Sequence, residues 1–460
     1  MFHDRSFHAA RPDRPQAVRV NASAYPRWSY NAHWFNFYNA ISFQIMMGAP
    51  IILFAKSLGA SSTVLGVLAA FTPLMTVFQL PAARFLDRTT YRNFVLAGWG
   101  PRVVLIFGVA CVPLLGFLEP ASKIALLLGM LFVFNLLRGI TSAAWMPWMT
   151  AIIPEEFRGR FLSLDQIFLH VGCLISLVVS AALMAGDVQA WEYSLVFLVS
   201  AVGGAVSLWF IRGIPVVAST ETLSRSSAPV PWKAMLQHPP FRSLLEFNAL
   251  YTLVLGSLGV FSIEFLRGVA GMDPSIVLIL SALAFLGALA TLPFCGRVLD
   301  SIGSKPVMRL AVAGMAAVIA GWFLTASGVI PAVVGTVAVL NLATGAAGAS
   351  FNVANARVVM ATMPEMGRNH FFALFSVITS LGLGSAPIVW GLALDALGTF
   401  EIVTGALTWK RHSIYFLALL LLAFASLALV NRLDESGSQR PPRPDLLYAR
   451  LRRWLSNWHR

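Results

Sequence analysis

Apolar residues in this chain gather into long runs, broken by short polar or charged stretches. Twelve runs stand out, at roughly 31–55, 62–84, 93–118, 122–150, 160–185, 191–212, 242–266, 275–296, 306–326, 331–360, 370–395 and 413–431. Each approaches or exceeds the ~20 apolar residues that carry an α-helix across a bilayer. A segment in lipid must satisfy its own backbone groups, which a helix does. Strands of a membrane barrel would alternate apolar and polar positions, and these runs do not. The pattern predicts an all-α polytopic membrane protein with twelve transmembrane helices in two six-helix bundles. Connections are short except 213–241, a polar, Pro-rich stretch containing ETLSRSSAPVPWKAMLQHPP. It divides the chain into an N-terminal tail (1–30), a first bundle (31–212), the linker (213–241), a second bundle (242–431) and a basic tail (432–460).

Composition agrees. Of 460 residues, 57% are hydrophobic and only 12% are charged, against roughly 25% charged in soluble domains. The net charge of +13 would suggest nucleic acid in a soluble protein. Here the basic residues follow topology instead. They crowd the N-tail, the loops at 84–92, 154–160, 212–242, 297–309 and 357–368, and the C-tail. The opposite loops hold only Lys56, Lys123, Arg267, Lys410 and Arg411. This bias places both termini in the cytoplasm, and no nucleic-acid partner is implied. The opening MFHDRSFHAARPDRPQAVRV has no apolar core after its charges, so it reads as a disordered tail rather than a cleavable signal. Cys111, Cys173 and Cys295 fall inside spans, lack metal-ligand spacing and read as packing residues. In the C-tail, Leu447, Leu451, Trp454, Leu455 and Trp458 recur at helical spacing among arginines. That predicts an amphipathic helix on anionic inner-leaflet lipid; a plain basic tail that fixes topology is the alternative.

The charged turns repeat. GRVLDSIGSKP (Gly296–Pro306) follows the eighth span and ARFLDRTTYRN (Ala83–Asn93) the second. Aligned, Arg84 matches Arg297, Asp87 matches Asp300 and Arg92 matches Lys305. PEEFRGRFLSL from Pro154 likewise matches PEMGRNHFFAL from Pro364, which places Arg158 opposite Arg368. Two motif pairs at nearly one offset, about 210 residues, imply a tandem duplication. Twelve spans in two halves, a long central loop and a charged turn after spans two and eight resemble the major facilitator superfamily. Its Gly-x-x-x-Asp-Arg-x-Gly-Arg-Lys turn is approached by Gly296, Asp300, Gly303 and Lys305 in the second copy. The first copy keeps Asp87, Arg88 and Arg92 but has Ala83 and Thr90 where Gly is usual. PEEFRGR resembles the Pro-x-x-x-Arg-Gly turn that many members carry after helix four. The resemblance covers about 31–431, leaves out the tails and names no substrate. No sugar-porter ending follows span twelve. Arg138 sits where proton-coupled drug exporters carry an Arg, but Ser142 replaces the glycine expected four residues on.

In that family reading, a cytoplasmic gate holds the halves outward-open. Its groups here would be Arg84, Asp87, Arg92, Arg158, Arg297, Asp300, Lys305 and Arg368. A carboxylate such as Asp87 or Asp300 accepts from helix N-terminal amides or pairs with a neighbouring Arg; solvated loops that merely set topology are the alternative. Within the spans, Arg102 and Arg138 lie deep, where a charge is costly unless it meets water or a partner. The first half sets only Asp165 against them. The surplus asks for an anion, either a substrate or Asp165 with backbone carbonyls in a fixed network. Proton coupling needs a titrating group, and His170 or a desolvated Asp165 fits. Arg102, Asp165 and His170 are therefore coupling candidates, although His170 also reads as packing and Asp165 as a gate partner of Arg158 or Arg160. Helices one, four, seven and ten line the cavity in the resembled fold. That makes Asn39, Gln44, Arg138, Asn248 and Asn341 cavity candidates, with Trp145 and Trp148 as an aromatic wall. Amides that only glue helices, worth ~1 kcal/mol each, are the alternative.

These features favour a secondary active transporter that moves a small solute by alternating access, with the proton as the family's default coupling ion. No Gly-x-x-x-x-Gly-Lys-Ser/Thr loop marks an ATP-driven pump. A receptor or sensor on a transporter fold is the runner-up, though it would usually bring a soluble signalling domain. A membrane enzyme would need His, Asp or Glu clustered at one face, and the sequence offers no such cluster. We expect a monomer without cofactor in a bacterial inner (plasma) membrane. The two arginines lean toward an organic anion, the aromatic content and Arg138 toward export of amphipathic compounds, and the amides leave a sugar open.

Overall fold

The computed structural model describes residues 25–82, 85, 86, 89–153, 157–216, 236–362, 368–405 and 407–433; the side chains at 150, 158, 159, 296, 297, 300, 301 and 368–373 are outside the description. The first half holds α1 (Ser29–Met47), α2 (Ala49–Ser57), α3 (Ser62–Thr76), α4 (Gln79–Ala82), α5 (Tyr91–Cys111), α6 (Pro120–Ile152), α7 (Arg158–Leu183) and α8 (Ala190–Arg212). The second holds α9 (Pro239–Gly268), α10 (Pro274–Ile302), α11 (Ser304–Ala326), α12 (Val334–Thr362), α13 (Arg368–Leu397) and α14 (Arg411–Val430). Among the described residues, twelve spans are long and apolar enough to cross a membrane, α1 with α2 forming the first.

Local chemistry sets the breaks. Gly48 is extended, with φ −102° and ψ −153°, and separates α1 from α2. Pro50 follows in the opening turn of α2, where its missing N–H would have had no partner anyway. Ser61 accepts from the Val64 amide and Thr90 from the Asn93 amide, so side chains cap α3 and α5. At the start of α8 the Gln189 amide donates to Glu192 at 2.7 Å. Gly303 turns the chain between α10 and α11 at φ +85°, a region that side chains with a Cβ avoid.

In the first half α1 packs on α7 and α8, α5 on α6 and α8, and α3 on α6. In the second, α10 packs on α12, α11 on α12 and α14, and α9 on α13 and α14. The two groups meet along α3–α13 and α7–α10, with α2 crossing to α9. Repetition reaches the packing. Gly139 of α6 lies against the Met75 carbonyl of α3, and Gly345 of α12 lies against the Ala284 carbonyl of α10. Small residues let membrane helices approach this closely. Trp209, Leu310 and Leu421 are well exposed, as suits a surface that faces hydrocarbon.

One element departs from the pattern of spans and plain connections. Strands β1 (Glu401–Thr404) and β2 (Leu407–Lys410) form an antiparallel hairpin between α13 and α14, with Glu401 opposite Lys410. Its turn includes Gly405 at φ +61°.

Candidate solute cavity and closed end

A cavity of about 330 Å³ opens among α9, α10, α11 and α12. Its polar wall is Ser262, Ser281, Asn341, Thr344 and Asn352. Leu255, Leu258, Ile263, Met315 and Trp322 supply an apolar wall, and no charged side chain lines it among the described residues. Each hydroxyl spends its proton on its own helix. Ser262 donates to the Leu258 carbonyl at 2.7 Å, Ser281 to Val277 at 2.8 Å and Thr344 to Leu340 at 2.7 Å. Asn341 donates one N–H to Val337 at 3.1 Å. The three hydroxyls therefore present oxygen lone pairs, and the two amides present both donors and acceptors.

Of the cavity candidates read from sequence, Asn341 is on this wall. Asn248 is not: it donates to the Leu244 carbonyl and accepts from Asn355 of α12 at 2.9 Å, tying α9 to α12. Asn39 and Gln44 are half-buried on α1, and the Gln44 side chain lies against Gly48. Arg138 precedes the packing glycine Gly139 as Thr344 precedes Gly345, so the first half carries a cation where the second carries a cavity hydroxyl. The Arg138 guanidinium stands 4.5 Å from the centre of the Phe43 ring. Trp145 lies tilted against Phe35, ring centres 4.7 Å apart, and the Trp148 indole donates to the Pro215 carbonyl.

The coupling candidates fall in three places. Arg102 is 3% exposed and lies between Trp99 and Phe134, 4.2 and 4.3 Å from their ring centres. Its Nε and Nη1 have no hydrogen-bond partner among the described residues. Asp165 pairs with neither arginine; its carboxylate lies 3.4 Å from Nδ1 of His33, whose Nε2 meets the Tyr25 hydroxyl at 2.7 Å. A neutral His33 satisfies both contacts, donating from Nδ1 and accepting the Tyr25 proton at Nε2. Burial pushes the Tyr25 hydroxyl above its ordinary value, and the nearby Arg160 opposes this. The sequence reading passed over His33, which shares a helix face with Asn36, itself a donor to the Asp165 carbonyl. His170 donates to the Gln166 carbonyl, and its ring faces Phe285 of α10 at 6.0 Å.

The most concentrated polar contact between the halves was also not read from sequence. Glu264 of α9 is 1% exposed. Its Oε1 accepts from Ser62 at 2.7 Å and lies 3.1 Å from both Lys56 and Arg411. His412 Nε2 stands 4.0 Å from Oε2, which has no hydrogen-bond partner among the described residues. Beside this cluster, Asp395 of α13 accepts from the Ser62 and Thr63 amides at 3.0 and 2.8 Å, capping α3 of the other half. Lys56, Ser62 and Thr63 of the first half thus bond Glu264 and Asp395 of the second at this end, and Gln79 bonds Ser376 farther along the seam. The Glu264 end is the one away from the termini. The signal was present: Lys56, Arg411 and Glu264 are among the few charges there.

Of the gate residues, Arg84 and Asp87 lie outside the described residues. Arg158, Arg297, Asp300 and Arg368 sit on α7, α10, α10 and α13, with side chains outside the description. Arg92 is half-buried in the first turn of α5. Lys305 donates to the Asn431 and Leu433 carbonyls at 2.7 and 2.8 Å, closing the end of α14. The tail helix expected over 447–458 is likewise outside the described residues.

Comparison with solved structures shows the same fold. A D-xylose–proton symporter superposes with a TM-score of 0.69 at 13% identity, covering 90% of this chain and 99% of its own. The nucleoside transporter NupG gives 0.64 at 13% identity, covering 88% and 99%. The inward-open xylose transporter XylE from E. coli gives 0.60 at 15% identity, covering 88% and 97%. A search of curated protein sequences finds no match. The profile of the Major Facilitator Superfamily matches residues 33–269 and 264–458, nearly the whole chain. With twelve apolar helices and this match along its length, the chain is an integral multi-pass membrane protein that belongs to the Major Facilitator Superfamily, a family of secondary transporters rather than enzymes.

Proposed function

We propose that the protein is a proton-coupled secondary transporter that works by alternating access as its two halves, 31–212 and 242–431, move against each other. The described conformation is the one closed at the end away from the termini. With the termini in the cytoplasm of a bacterial inner membrane, as the charge bias supports, that closed end is the outer one. The single observation that carries the reading is Glu264, a buried carboxylate that binds Lys56 and Ser62 of one half and Arg411 of the other. Its charge is what holds two cations together. A proton on Glu264 removes that attraction and leaves Lys56 and Arg411 to repel each other, with His412 alongside. The Asp165–His33–Tyr25 hydrogen-bonded chain lies toward the opposite end.

Hydrogen-exchange mass spectrometry tests the coupling without a known solute. After correction for intrinsic rates, amides at 56–64 and 411–415 are expected to exchange faster at low pH than at high pH. Glu264→Gln is expected to exchange fast at both. Equal protection in wild type and variant at every pH contradicts the role of Glu264.

A further inference from the structure

The geometry points to an uncharged ring solute with several hydroxyl or amide N–H donors as the occupant of the cavity, with Gly259 and Gly348 holding space open for the ring. The inference deepens the transport reading and rests on it. Charge is the first discriminator. An anion entering the cavity would leave its hydration and find no cation on the described wall, and a cation would find no carboxylate. Desolvating an ion without a counter-charge is strongly unfavourable. Arg138, the cation at the matching position of the other half, lies against Phe43 and is not on this wall.

Donor polarity is the second. Ser262, Ser281 and Thr344 have already given their protons to backbone carbonyls. Their oxygens can only accept, so the solute must bring O–H or N–H groups. Asn341 and Asn352 can serve either kind of group. Leu255 and Ile263, half-buried on α9, offer an apolar surface for the flat side of a ring. A cavity of about 330 Å³ suits a small solute rather than a bulky amphipath.

The glycines are the third. A Cβ built on Gly259 or Gly348 meets nothing within 4 Å. Nearby Gly345 and Gly287 differ, since a Cβ there would strike the carbonyls of Ala284 and Leu342. Those two serve helix contact. Gly259 and Gly348 serve no such contact, yet they occupy the cavity wall in helices where glycine is a poor former. Empty space is what they provide.

Purified full-length protein is heated in detergent with glucose, xylose or uridine, and separately with succinate or glutarate at matched ionic strength. At least one neutral ring probe is expected to raise the melting temperature by about 2 °C or more at saturation. A Cβ at Gly348 or Gly259 meets open space, so Gly348→Leu and Gly259→Leu should each melt like wild type without ligand and lose the shift. Thr344→Val, which keeps the shape and removes the acceptor, should at least halve it and serves if a leucine variant fails to fold. A shift from dicarboxylates alone, no shift from any neutral probe, or a neutral shift that survives these variants overturns the inference. The transport reading is tested apart from this, by exchange and distance measurements that need no solute.

Discussion

Arg102 sits buried without a carboxylate because two aromatic faces take the place of one. The guanidinium carbon stands over the Trp99 and Phe134 rings, and a ring face attracts a cation by about 2 kcal/mol when both are desolvated. Trp99→Leu is therefore expected to lower stability by roughly 1–2 kcal/mol, read as a fall in melting temperature. Arg102→Lys should do similar damage, since an ammonium cannot stack on two planes, whereas Arg102→Met should cost less because it removes the charge with its burial. The sequence showed that this cation was buried but not what satisfied it. Trp99 lies three residues back on the same helix and was readable in principle; Phe134 comes from another helix and was not. Glu264 was harder still. Its partners Lys56 and Arg411 are 208 and 147 positions away, so no local pattern joins them.

Helix pairs distinguish two uses of glycine that look alike in sequence. Gly345 lets α12 touch the Ala284 carbonyl, so Gly345→Ala should push the helices apart at a cost of about 1–3 kcal/mol. Gly348→Ala, one turn away and facing open space, should be neutral or gain up to about 1 kcal/mol from helix propensity. Thermal unfolding of the two variants side by side checks the contrast. Asp395 acts between elements too, accepting two amides at the start of α3 from the far half. Asp395→Asn keeps a possible acceptor but loses the charge that the helix N-terminus favours, for a cost of about 1 kcal/mol. At this scale the spans were legible because each is a long apolar run. The hairpin at 401–410 was not, because a reading tuned to long runs passes over four-residue strands. The break at Gly48 was masked for the same reason, as the apolar run continues through it.

Across the whole molecule, the duplication was the most informative feature of the sequence, and the structure carries it from loops into packing, where Gly139 and Gly345 make matching contacts about 210 residues apart. What the repeat could not reveal is asymmetry. The charge-free cavity belongs to the second half alone among the described residues, and the first half carries Arg138 at the position matching Thr344. Nor could it reveal the cross-half cluster at Glu264 and Asp395. The claim that Glu264 holds one end shut is tested most directly by pulsed electron–electron distance measurements in a background lacking Cys111, Cys173 and Cys295. Spin labels at Asp187→Cys and Val333→Cys report the far end, and labels at Arg212→Cys and Pro306→Cys report the end near the termini. Glu264→Gln is expected to lengthen the first distance and shorten the second, shifting the population toward the opposite-facing state. If both distance distributions match those of the unmutated latch at high and low pH alike, Glu264 does not control the closed end and the account is contradicted.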